Sequence, residues 1–131
     1  WRVEPALEYV RALLTVSKNE TDANRARELA WKAIAAARGL CEGRPAAPES
    51  WHTLAVAMIW ARSLGLEMDT PEIAASLVRA SQNTWYLPGL LETRIGFARS
   101  LGHVNESKQL ESDLIHLLGI LDPSVASKKL H

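Results

Sequence analysis

Four histidines, one cysteine and fifteen acidic residues are the groups in this 131-residue chain that could ligate a metal or move a proton. Their spacing assembles no familiar site. His52, His103, His116 and His131 lie far apart, and none pairs with another ligand type at zinc-site spacing. The sequence holds no HExxH, no glycine-rich phosphate loop and no G-x-S-x-G. His103, beside Gly102, reads as an exposed loop residue. His116 lies between apolar neighbours and reads as a helix boundary residue, and His131 is terminal. Cys41 has no second cysteine and no histidine in its neighbourhood, so it reads as a buried or helix-end thiol rather than a nucleophile. The acids are scattered. Glu106, Glu111 and Asp113 read as the solvated side of one helix, with no pairing suited to acid–base work. The expectation is a non-enzyme without metal or cofactor. Catalysis would need distant residues to converge.

Composition agrees with a folded chain that has no special electrostatic task. Hydrophobic residues make up 47% and charged residues 23%, which separates the chain from disordered segments. Fifteen basic residues balance fifteen acidic ones, without the basic excess that phosphate binding calls for, so nucleic acid is not the expected partner. The longest apolar run, 54–61, is too short to span a bilayer, and no signal-peptide pattern opens the chain. A lone cysteine fits a reducing compartment, so a soluble, cytoplasmic setting is expected. The first residue is Trp1, which points to a fragment of a longer polypeptide. Five of the eight aromatics are tryptophan, each expected to anchor packing or an interface.

The elements that must position these residues are helices. Apolar spacing predicts six, over about 5–18, 23–41, 49–64, 70–81, 88–101 and 105–121, followed by a frayed tail over 122–131. The first carries Leu7, Val10, Leu13 and Leu14 on one face. The second carries Ala26, Leu29, Ala30, Ala33, Ile34, Ala37 and Leu40, whose alanines allow a close neighbour. GRPAAP over 43–48 is the clearest loop. The third helix is apolar nearly all round, which places it at the centre with neighbours on two sides. Thr70-Pro71-Glu72 reads as a Thr cap, a first-turn proline and a dipole-matched acid. Ile73, Ala74, Leu77 and Ala80 should then face inward, as should Leu90, Leu91, Phe97, Ala98 and Leu101 on the fifth helix. Asn105 is read as the cap of the sixth, whose core face holds Leu110, Leu114, Leu117, Leu118 and Leu121. The fold class is all-α: one helical domain over 1–131, made of antiparallel pairs over roughly 5–41, 49–81 and 88–121.

Ala61-Arg62-Ser63-Leu64-Gly65 recurs 37 residues later as Ala98-Arg99-Ser100-Leu101-Gly102, each copy closing a helix. Two-helix units at such a period are the signature of an α-solenoid, with an irregular helix bundle as the alternative. Trp51-His52-Thr53-Leu54-Ala55, the small residues Ala74 and Ala80 around Leu77, and the later Pro88 resemble a tetratricopeptide repeat. The resemblance covers roughly 51–123. It departs from the family in a long linker over 65–69, a late proline and Arg94 at an apolar position. It implies a TPR-like α-solenoid whose inner wall holds a peptide or a partner helix. With Trp51 as the packing residue, His52, Val56, Ile59 and Trp60 point to that wall, and Glu92 and Arg99 take similar places in the next unit. Trp60 could instead pack against the first helix pair.

Trp85 and Tyr86 form an aromatic turn that either plugs a helix pair or offers a sticky tip. The function expected is a protein-interaction or scaffold module, with self-association through the first or sixth helix also in view. Two other readings are a helix-turn-helix DNA-binding regulator, with a turn near 78–81 and Ser81, Gln82 and Asn83 facing bases, and a non-catalytic helical part of a larger enzyme. Asn19-Glu20-Thr21 and Asn105-Glu106-Ser107 match the glycosylation triplet, but both also suit loop and cap positions.

Overall fold

In the computed structural model, residues 5–82 and 88–121 are described, and among them the regular structure is helical. The helices are α1 (Pro5–Asn19), α2 (Ala23–Gly43), α3 (Pro48–Ser63), α4 (Thr70–Ser81), α5 (Pro88–Ser100) and α6 (Val104–Leu121). No helix among the described residues is long and apolar enough to cross a membrane. By packing, the chain divides into two compact units, 1–82 and 83–131.

In the first unit α1 packs on α2, α2 on α3 and α3 on α4, and α3 also touches α1. The central position expected of α3 is therefore observed. Its lack of a wide polar face follows from having three neighbours, and Leu54, Ala57, Met58 and Ala61 are buried. Of the stripe read on α2, Ala26, Leu29, Ala30, Ala33, Ile34 and Ala37 are buried, while Leu40 is half-buried and Cys41 takes the buried position at its end. Asp22 caps α2, its carboxylate accepting from the backbone N–H of Asn24 at 2.9 Å. Arg27 donates its Nε to the Leu64 carbonyl at 3.0 Å, satisfying an end of α3 from α2. Arg38 on α2 pairs with Glu72 on α4 at 2.7 Å. On α1 Leu7, Val10 and Leu14 are buried as expected, Leu13 is only half-buried, and Tyr9 and Val16 stand about half exposed.

The two five-residue copies end their helices in the same way. Gly65 and Gly102 both have positive φ, 88° and 74°, where a side chain would be strained. Behind them the same paired bonds form: Leu66 N–H to the Ala61 carbonyl and Gly65 N–H to Arg62, then His103 N–H to Ala98 and Gly102 N–H to Arg99. Burial recurs at the same offset, with Leu54 and Leu91, Met58 and Ile95, Ala61 and Ala98, Ile73 and Leu110, and Leu77 and Leu114 all in cores. In the second unit α5 packs on α6 around Leu91, Ile95, Ala98, Leu110 and Leu114, with Leu117 and Leu118 partly buried against them.

Several positions differ from the sequence reading. Asp69, not Thr70, is the N-cap of α4, because the helix already includes Thr70, and Asp69 makes no side-chain cap bond. α6 likewise starts at Val104, which puts Asn105 inside its first turn. On α4 Ala74 is exposed and Ser76 is buried in its place. Ser76 tolerates this because its hydroxyl donates to the Glu72 carbonyl one turn back, at 2.9 Å. Ile95 joins the α5 core, and Leu101 is only half-buried, since it sits at the helix stop. α4 runs unbroken through Val78 to Ser81, where a helix-turn-helix would need its turn.

Candidate functional site

Two sets of predicted site residues fall in the described part of the chain, one in each unit. On α3, His52, Val56 and Ile59 follow one another at four and three residues and share a face, half-buried. Burial lowers the His52 pKa below its ordinary 6.5, and the nearby charge of Arg11 on α1 lowers it further. Both effects favour the neutral imidazole over the imidazolium.

Trp60 is anchored to the first helix pair. Its Nε1 donates to Ser17 Oγ at 2.8 Å, and Ser17 Oγ donates to the Ala26 carbonyl at 2.7 Å. One buried hydroxyl thus joins α1, α2 and α3, and the buried Ser17 side chain has both a donor and an acceptor partner. Lys18 Nζ lies 5.7 Å from the Trp60 ring centre. Trp51 is held as well: its Nε1 donates to the Pro45 carbonyl at 2.7 Å, and the Arg79 guanidinium of α4 lies 4.5 Å from its ring. These two tryptophans tie helices to one another.

In the second unit the two predicted residues come together. Glu92 and Arg99 line one cleft, of about 350 Å³, between α5 and α6. Ile95 and Gly96 complete its α5 wall, and Glu111, Leu114 and Ile115 form the α6 wall. Its lining mixes the charged Glu92, Arg99 and Glu111 with apolar residues, and Arg99 forms an ion pair with Glu111 across it. Glu111, read from the sequence as a solvated residue, is half-buried here and faces α5. The sequence reading did not select Ile95, Gly96, Glu111, Leu114 or Ile115. The 37-residue offset carried a usable signal, since it lays Leu114 on Leu77. What it could not supply was the side of α6 that meets α5.

Trp85 and Tyr86 lie outside the described residues. Cys41 is buried, and its pKa is pushed up to about 11, chiefly by burial, so its thiol stays protonated and a poor nucleophile at neutral pH. His103 is exposed with Nδ1 3.3 Å from a Glu106 carboxylate oxygen, and His116 is exposed. Among the described residues no group of three or more His, Cys, Asp or Glu is placed to hold a metal ion. Comparison of the chain with models of known protein families, with curated proteins and with solved structures finds no match in any of the three.

Proposed function

We propose that this chain is a protein-interaction module built from TPR-like helical hairpins, with the cleft between α5 and α6 as its partner site. The observation that carries the reading is the cleft itself, about 350 Å³, lined by Glu92, Arg99 and Glu111 together with Ile95, Gly96, Leu114 and Ile115. A concave surface of this size that brings apolar and charged side chains together suits recognition, with contact area for affinity and charges for register. The hairpin reading draws support from the matched glycine stops of α3 and α5 and from core positions that recur at the same spacing. The half-buried row of His52, Val56 and Ile59 is the corresponding candidate surface of the first unit.

The test is co-purification from cell extract with the wild-type chain, Arg99→Glu and Ile115→Asp, after circular dichroism has shown all three to be folded. Proteins retained by the wild type and lost from both variants are the expected result. An identical set retained by all three rules the cleft out as the partner site.

A further inference from the structure

We draw no further inference here: the strongest candidate, the outward face of α1 where Tyr9 and Val16 stand exposed beside half-buried Leu13, is an unpartnered apolar face, and nothing in the structure shows what covers it.

Discussion

Ser17, Trp60 and Ala26 show how a small polar group becomes structural once it is buried. The Ser17 hydroxyl accepts from the indole of Trp60 and donates to the Ala26 carbonyl, so three helices meet at one oxygen. Removing one partner from such a set strands the others, at about 1–3 kcal/mol for a buried polar group. Ser17→Ala and Trp60→Phe should each lower the urea midpoint without changing the slope. Their double variant should cost less than the sum, because the shared bond is lost only once. Strict additivity would mean that the bond contributes nothing. His52 sets a pH dependence of definite sign. Its folded-state pKa lies below 6.5, so the unfolded chain takes up a proton more readily. Stability is fully present above about pH 6.5 and declines as pH falls through 6.5 toward the folded value. Denaturation between pH 7.5 and 5 should show this loss, and His52→Gln should remove part of it. A pH-independent difference between the two proteins would contradict the burial of the ring.

Among the elements, the glycines separate two uses of the same residue. Gly65 and Gly102 stop α3 and α5 with positive φ, whereas Gly96 lies within α5 in helical conformation. A Cβ added at any of the three meets no atom within 4 Å, so packing does not confound the comparison. Gly96→Ala should raise stability by about 0.5–1 kcal/mol through helix propensity. Gly65→Ala and Gly102→Ala should lower it by about 1 kcal/mol each, since alanine is strained in that conformation. Thermal unfolding of the three variants checks both signs together. These stops were legible in advance: the A-R-S-L-G copies mark the same helix ends that the backbone bonds later define. The starts of α4 and α6 were less so. Asp69 and Thr70 are both good cap residues by type, and only the backbone geometry chooses between neighbours.

For the whole molecule, charge balance is the property with the widest consequence. Fifteen cations and fifteen anions cancel in formal charge, so the chain has no net positive charge to draw in a polyanion. Much of the charge is also spent locally, as in Arg11 with Glu8, Arg25 with Glu28 and Arg38 with Glu72. Titration with duplex DNA at physiological salt should give no shift, and a salt-sensitive shift would revive a regulator of the DNA-binding class. The sequence alone determined the six helices, their stops and most of the buried residues. Those follow from spacing along a single helix, where each residue's face is set by its neighbours three and four positions away. Only the tertiary structure decided that Trp60 reaches Ser17, that Arg38 finds Glu72, and that Arg99 meets Glu111 across a cleft. Such meetings depend on how each helix is rotated and crossed against the next. Many rotations bury the same apolar stripe, and they differ in which half-polar flanks come face to face.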